Sequence, residues 1–91
     1  MLKVEKTDRF LLDVDDMVVF IAQDNAVAAL ALEDRIHQQV DSLSDPNFPR
    51  RKGRKPGTLE LVVHPHYMVV LQQTDTTVTV LNLLHTARQY P

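Results

Sequence analysis

Cysteine is absent from the 91-residue sequence. Its absence excludes disulfide bonds, thiolate metal sites and cysteine nucleophiles. Aromatic residues are scarce, at 5% of the chain, so a surface that stacks nucleic-acid bases is not supported. No apolar run approaches the roughly 20 residues of a membrane span, and residues 1–6 lack the apolar core of a secretory signal. These absences predict a soluble, cytoplasmic protein without a metal or cofactor.

The length is that of one domain, spanning residues 1–91. Apolar residues make up 44% of the chain and charged residues 24%, which is the ordinary range of globular proteins. A chain of this size buries only about 60–65% of the surface that it exposes when unfolded, so its core is small. A permanent partner would therefore add useful stability.

Charge is divided unequally along the chain. Residues 1–45 hold ten acidic and four basic residues, a net of −6, whereas residues 46–91 hold six basic and two acidic residues, a net of +4. Five of the ten basic residues lie between Arg50 and Lys55. This division indicates one acidic face and one basic face, and it is compatible with two different partners.

The first half of the chain predicts a short strand and two helices. Residues 2–5 alternate between apolar and charged, as in a strand. Thr7 or Asp8 can cap a first helix, and Asp24 or Asn25 can cap a second. The apolar stripes that define the helices are Phe10, Val14, Met17, Val18 and Ile21 in the first, and Ala28, Ala29, Leu32, Ile36, Val40 and Leu43 in the second. So short a link between them predicts an antiparallel helical hairpin.

The second half changes from a helical to a strand-like period. Prolines and both glycines of the chain mark a loop from Ser44 to Gly57. Three β-rich runs follow, at Thr58–His64, Tyr67–Gln72 and Thr77–Leu84. The short links between these runs require antiparallel pairing. The predicted fold is therefore α+β, with the helical hairpin on one face of an antiparallel sheet of three to four strands.

Some apolar residues fall outside the helical stripes. Leu12 and Val19 lie seven residues apart, roughly opposite the main stripe of the first helix, and Leu30 lies off the stripe of the second. Scattered exposed apolar residues are normal in soluble proteins. The alternative is a surface that another protein chain covers.

Three segments of the chain resemble a known family. Gly53-Arg54, followed by the segment from Gly57 to Val70, is similar to the sheet signature of ParE-type toxins. The ending HTARQYP, residues 85–91, is similar to the usual close of that family, and residues 20–29 resemble its turn between helices. The resemblance covers nearly the whole chain in the right order. It implies a toxin of the RelE/ParE superfamily, closer to ParE, from a bacterial type II toxin–antitoxin pair.

Members of this superfamily share a fold but differ in target. RelE-like toxins cut mRNA on the ribosome and ParE-like toxins block DNA gyrase, and a cognate antitoxin neutralises each. The resemblance to ParE therefore implies a plasmid-stabilisation or stress module whose toxin binds gyrase. Leu59, Leu71 and Gln72 stand where the family often has basic or phenolic residues, which weakens the ribonuclease alternative more than the gyrase one. These departures also leave open a degenerate toxin that keeps only antitoxin binding.

Histidines are the residues that a ribonuclease would need. His64, His66 and His85 all fall at predicted strand ends. RNA cleavage needs one group to take the 2′-hydroxyl proton and another to protonate the leaving oxygen, so His64, His85 and Arg88 are the candidates. A histidine that precedes proline, as His64 does, more commonly serves a turn. A metal site is not expected, because no carboxylate or thiol completes the set.

The strongest electrostatic feature of the sequence is a basic loop between two prolines. Its cations are Arg50, Arg51, Lys52, Arg54 and Lys55. They can bind phosphates or the acidic tail of an antitoxin. The alternative is a solvated loop with no partner.

The chain end offers a second binding surface. Arg88, Gln89 and Tyr90 follow the last predicted strand. Arginine and tyrosine often dominate the binding energy of protein interfaces, so these three residues are predicted to contact the target. In the alternative interpretation, Arg88 pairs with an acidic residue of the helical hairpin.

Overall fold

The computed structural model describes residues 1–87 of the chain. Its helices are α1 (Asp8–Ala22) and α2 (Ala26–Asp41), with a single turn of 3₁₀ helix, Ser42–Ser44, after α2. Its strands are β1 (Lys3–Lys6), β2 (Arg51–Lys52), β3 (Leu59–His64), β4 (Tyr67–Gln73) and β5 (Thr77–His85). The strands form one sheet in the order β1-β5-β4-β3-β2. No helix in this described part is long and apolar enough to cross a membrane.

Both helices begin at a residue whose side chain caps them. The Thr7 hydroxyl accepts a hydrogen bond from the amide of Phe10, and the Asn25 side chain accepts one from the amide of Ala28. The Thr7 hydroxyl also lies 2.8 Å from the carbonyl oxygen of Val80, to which it donates. The start of α1 is therefore fixed against β5.

The core lies between the helical hairpin and one face of the sheet. The predicted helical stripes supply Phe10, Val14, Met17, Ile36, Val40 and Leu43. The strands supply Leu61, Val63, Tyr67, Val69, Leu71, Val78, Val80 and Leu83. Ala28 belonged to the predicted stripe but is exposed, because the buried side of α2 centres on its neighbour Ala29.

The predicted α+β class, the helical hairpin and the three consecutive antiparallel strands are confirmed. The sheet is larger than the predicted three to four strands, and it is mixed, because β1 runs parallel to β5. Backbone hydrogen bonds from Lys3 to Thr76 and from Thr7 to Val80 fix this parallel pair. Nothing in a strand of four residues indicates the direction of a partner more than seventy positions away.

The predicted loop from Ser44 to Gly57 is more ordered than expected. Arg51–Lys52 forms β2, which pairs antiparallel with the start of β3. The amide of Gly53 donates to the carbonyl oxygen of Thr58, and Gly57 takes a φ of +82°, a left-handed conformation that favours glycine. Residues 51–60 thus form a tight turn-linked pair, called here the basic hairpin.

Candidate functional site

Three histidines meet at one end of the sheet. The strand register places His64 and His85 on either side of Tyr67, whose side chain is buried. The ring centroid of Tyr67 lies 5.8 Å from that of His64 and 5.1 Å from that of His85. His66, in the turn between β3 and β4, stacks on His85 at 5.9 Å with 7° between the ring planes. The structure therefore brings the predicted residues His64 and His85 into one histidine cluster with His66.

The environment of His64 disfavours its charged form. Partial burial lowers the pKa of His64 below its ordinary value, and the positive charges of His66, Arg35 and His85 lower the pKa further. The Nδ1 atom of His64 accepts a hydrogen bond of 3.1 Å from the amide of His66. In the neutral ring the proton therefore lies on Nε2.

A groove of about 320 Å³ lies between α1 and β5, beside the histidine cluster. Met17 and Phe20 line it from the helix, together with Asp13, whose Oδ2 accepts a hydrogen bond of 3.1 Å from the amide of Leu83. The Oδ1 atom of Asp13 lies 3.2 Å from Nε of Arg9. Asp13 thus joins α1 to β5. Sequence reasoning does not single it out, because it is one of four aspartates in α1.

Arg50 of the predicted basic loop is committed to the fold. Its guanidinium donates to the backbone carbonyls of Leu43, Asp45 and Phe48 and to the side chain of Gln73. These four bonds use most of the N–H donors of the side chain and hold the segment after α2 against β4. Arg50 is therefore set apart from the other cations of the loop.

Glu60 organises the basic hairpin. Its side chain is only 3% exposed, and its Oε1 atom accepts a hydrogen bond of 3.1 Å from Nε of Arg51. Its Oε2 atom accepts one of 3.2 Å from the backbone amide of Arg54. A buried carboxylate needs such partners. Sequence reasoning missed Glu60, although a single acid inside an apolar strand and close to five bases is a usable signal.

Lys52 and Lys55 of the basic hairpin are exposed, as are its two arginines, Arg51 and Arg54. Among residues 1–87, neither ammonium forms an ion pair with a carboxylate. The five cations of the predicted basic loop therefore separate into Arg50, which binds the fold, Arg51 and Arg54, which bind the buried Glu60 through a side chain and a backbone amide respectively, and the two open lysines. Whether these lysines bind a partner stays a prediction.

Apolar residues predicted to lie off the helical stripes are exposed. Leu12 is 59% exposed and Val19 is 64% exposed on α1, and Leu30 is exposed on α2. Phe20 on α1 and Val27 on α2 are exposed as well. Their role as antitoxin contacts stays a prediction.

The sheet face opposite the helices carries few free charges. Strand alternation puts Lys3, Glu5, Arg51 and Glu60 on it, and Gln72 is exposed there. Nζ of Lys3 lies 3.2 Å from Oε1 of Glu5, and Nε of Arg51 lies 3.1 Å from Oε1 of Glu60. Each cation that the strands of residues 1–87 place on this face is therefore paired with a carboxylate.

The predicted target contacts Arg88, Gln89 and Tyr90 lie outside the described residues. The same holds for Arg88 as a candidate of the nuclease alternative. Within residues 1–87, no three His, Asp or Glu side chains are grouped so that they could hold a metal ion.

The family is shown by comparison with known proteins. The model of the ParE toxin of the type II toxin–antitoxin system parDE matches residues 4–90. The chain belongs to the ParE toxin family. Y4kP of Sinorhizobium fredii, a candidate toxin, is 28% identical to this toxin over 89 residues, covering 98% of this chain and 93% of the relative. The predicted membership of the RelE/ParE superfamily, closer to ParE, is confirmed.

Solved structures share the fold of this toxin. The chromosomal ParDE system of P. aeruginosa gives a TM-score of 0.81 at 17% identity, covering 93% of this chain and 96% of that chain. The E. coli DinJ–YafQ complex gives 0.67 at 12% identity over the full length of both chains. The YoeB dimer of Staphylococcus aureus gives 0.59 at 12% identity, covering 92% and 95%. At such identities the likeness shows the fold alone.

Proposed function

We propose that this toxin acts by binding DNA gyrase and that an antitoxin neutralises it. The main support is the paired state of Lys3 and Arg51 on the sheet face opposite the helices. Cleavage of RNA passes through a dianionic phosphorane, which needs converging, unneutralised cations. A protein that blocks a large enzyme needs only a complementary surface. Leu71, fully buried in the core, leaves no side chain for phosphate at its position.

The histidine cluster supports the same choice. Nδ1 of His64 accepts from the amide of His66 at 3.1 Å, and Nδ1 of His85 accepts from the amide of Ala87 at 3.3 Å. A neutral histidine takes up a proton through its unprotonated nitrogen. In both rings that nitrogen already accepts a backbone hydrogen bond. The cluster is therefore better suited to fixing the chain turns at this end of the sheet than to general base catalysis.

An antitoxin partner follows from type II family membership, and it agrees with solved relatives. The E. coli DinJ–YafQ assembly is described as a toxin–antitoxin complex. In this toxin the exposed side chains of Leu12 and Val19 supply apolar surface that a partner chain would shield from water.

A gyrase supercoiling assay with folded, antitoxin-free protein tests the proposal. We expect inhibition by the intact toxin and none by a variant without residues 88–91, which removes the predicted target contacts. That variant should still bind the antitoxin. As the matched control, Leu12→Asp with Val19→Asp should weaken the antitoxin complex and leave gyrase inhibition unchanged. Normal supercoiling at a large molar excess of intact toxin would remove the gyrase proposal.

A ribosome-dependent mRNA endonuclease is the second candidate, favoured by the grouping of His64, His66 and His85 into one cluster, two of whose rings contact Tyr67. If His64 or His85 exchanges the protons of the reaction, its replacement by alanine should lower cleavage by roughly 10²–10⁴-fold. We expect no codon-positioned cuts in primer extension with the intact toxin. Cuts that disappear in His85→Ala would replace the gyrase proposal. A protein inactive in both assays that still binds antitoxin would be a degenerate toxin.

A further inference from the structure

The basic hairpin presents its cations on a fixed backbone. The buried carboxylate of Glu60 accepts from Nε of Arg51 at 3.1 Å and from the amide of Arg54 at 3.2 Å, so it joins β3 both to β2 and to the turn. The hydroxyl of Thr58 donates to the carbonyl of Lys55 at 2.7 Å and closes the turn. The backbone that carries the cations is therefore ordered before a partner binds, which lowers the entropy cost of binding.

The charge of the basic hairpin is almost all of one sign. The hairpin holds four cations and one acid, a formal net of +3, and that acid, Glu60, is only 3% exposed. Lys52 and Lys55 are exposed, and within residues 1–87 neither forms an ion pair. The four aspartates of α1 lie on a helix that Thr7 and Asp13 hold to β5, and in the sheet β4 separates β5 from β3 and the hairpin. The hairpin is thus a positive edge on a protein whose formal net charge is −2.

The turn of the basic hairpin lacks the apolar residues that anchor a protein partner. Residues 52–58, KGRKPGT, hold one proline and no other apolar side chain. Protein interfaces draw most of their binding energy from a few residues packed in desolvated pockets, whereas binding to a phosphate backbone needs only cations. Phe48, the aromatic residue nearest in sequence, packs against the core, so the hairpin offers no stacking platform for the bases of a single strand. The surface therefore fits the phosphates of a duplex.

We propose that the basic hairpin binds the phosphate backbone of duplex DNA without reading its base sequence. Lys52 and Lys55 contact phosphates, together with the guanidinium of Arg51, whose side chain is 61% exposed. Duplex DNA carries one negative charge per about 1.7 Å of its axis, so the closely spaced cations of one hairpin reach several phosphates. The choice of DNA over duplex RNA rests on the proposed action on gyrase, which works on DNA. The toxin then holds gyrase with one surface and the DNA with another.

Fluorescence anisotropy of a labelled DNA duplex, titrated with the toxin alone, measures this binding. Lys52→Gln with Lys55→Gln removes two exposed charges and should weaken binding about tenfold or more at about 50 mM salt. The slope of log affinity against log salt concentration should become less steep by about two, because each lysine contacts one phosphate. Lys52→Arg with Lys55→Arg keeps both charges and should retain the affinity and the slope. Circular dichroism verifies that each variant folds.

The matched control is Lys3→Gln with Arg35→Gln, which removes the same charge from exposed positions outside the hairpin. This control should leave the salt slope unchanged. Equal weakening by the two pairs of substitutions, or no binding of the intact toxin at about 50 mM salt, would overturn the proposal. Tighter binding to polyglutamate, or to an RNA duplex of the same sequence, would overturn it as well.

The assay contains no gyrase, so the DNA proposal and the gyrase proposal can fail separately. Binding to the duplex that depends on Lys52 and Lys55 would support the DNA proposal even if the toxin left supercoiling unchanged, which would refute the gyrase proposal alone. Inhibition of supercoiling by a toxin that does not bind the duplex would have the opposite meaning.

Discussion

Alanine at each of the two glycines tests whether the basic segment is a built hairpin. A Cβ atom at Gly53 would lie 2.3 Å from Oγ1 of Thr58 and 2.9 Å from its carbonyl oxygen. The hydroxyl of Thr58 donates to the carbonyl of Lys55 at 2.7 Å, so it cannot move away without losing this hydrogen bond. A Cβ at Gly57 would meet nothing within 4 Å, but the φ of that residue is +82°. Gly53→Ala therefore tests whether there is room for a Cβ atom, and Gly57→Ala tests whether the backbone is left-handed.

The structure makes Gly53→Ala the more damaging change. It should remove the hydrogen bond of Thr58, which contributes about 0.5–1.5 kcal/mol, and add overpacking strain of about 1–3 kcal/mol, for a total of about 1.5–4.5 kcal/mol. Gly57→Ala carries a left-handed penalty of roughly 1–2 kcal/mol. In both variants the lower entropy of the unfolded chain offsets about 0.4–1 kcal/mol of the loss, so it does not change the difference between them. At about 4–8 °C per kcal/mol for a domain of this size, the two variants should differ in Tm by roughly 10 °C.

Thermal and urea unfolding followed by circular dichroism give the comparison. Adding Thr58→Ala to Gly53→Ala removes the 2.3 Å contact but leaves the 2.9 Å contact with the backbone. Gly53→Ala should therefore lower the free energy of unfolding less in the Thr58→Ala background than in the unmodified protein. Equal losses for the two glycine variants, or a larger loss at Gly57, would refute the hairpin geometry.

Two further predictions concern residues outside the basic hairpin. Asp13→Ala removes the acceptor of the Leu83 amide and should lower the free energy of unfolding by about 1–3 kcal/mol. Asp16 is an exposed aspartate of the same helix, so Asp16→Ala should change the free energy of unfolding little. Equal urea midpoints for the two variants would contradict the link between α1 and β5. The pKa of His64 is lowered in the folded state, so the folded protein binds a proton at this ring less readily than the unfolded chain does. The stability that neutral His64 contributes is therefore complete above the unfolded pKa of about 6.5 and decreases as the pH falls below it. The decrease ends below the folded pKa. His64→Asn should make the urea midpoint depend less on pH between about pH 7 and pH 5. An unchanged pH dependence would contradict the lowered pKa of His64 in the folded state.

Local rules account for the parts of the fold that could be predicted from the sequence. Thr7 and Asn25 cap the helices because their side chains reach amides three residues ahead, and this relation is visible in the chain. The β3–β4 and β4–β5 links are short, so antiparallel pairing follows directly. The direction of β1 and the existence of β2 could not be predicted. Each is a short strand whose partner is set by the packed sheet.

Part of the candidate site could also be predicted from the sequence, and part could not. His64 and His85 could be placed near each other, because two consecutive hairpins bring their strand ends together. The different binding partners of the basic residues could not be predicted. Arg50 binds carbonyls of the segment after α2, and Arg51 binds Glu60 from the neighbouring strand. These partners come into reach only when the chain has folded.

The position of β5 has a consequence for synthesis. β5 lies inside the sheet, between β1 and β4, and it also binds the start of α1 through Thr7. A nascent chain that has not yet reached residue 77 leaves β1 without its neighbour and β4 with an open edge. Such intermediates expose strand edges and apolar surface, and they are prone to aggregate. A chain that is released before β5 has been synthesised therefore has an incomplete sheet, and the toxin completes this sheet only after residue 85 has been translated.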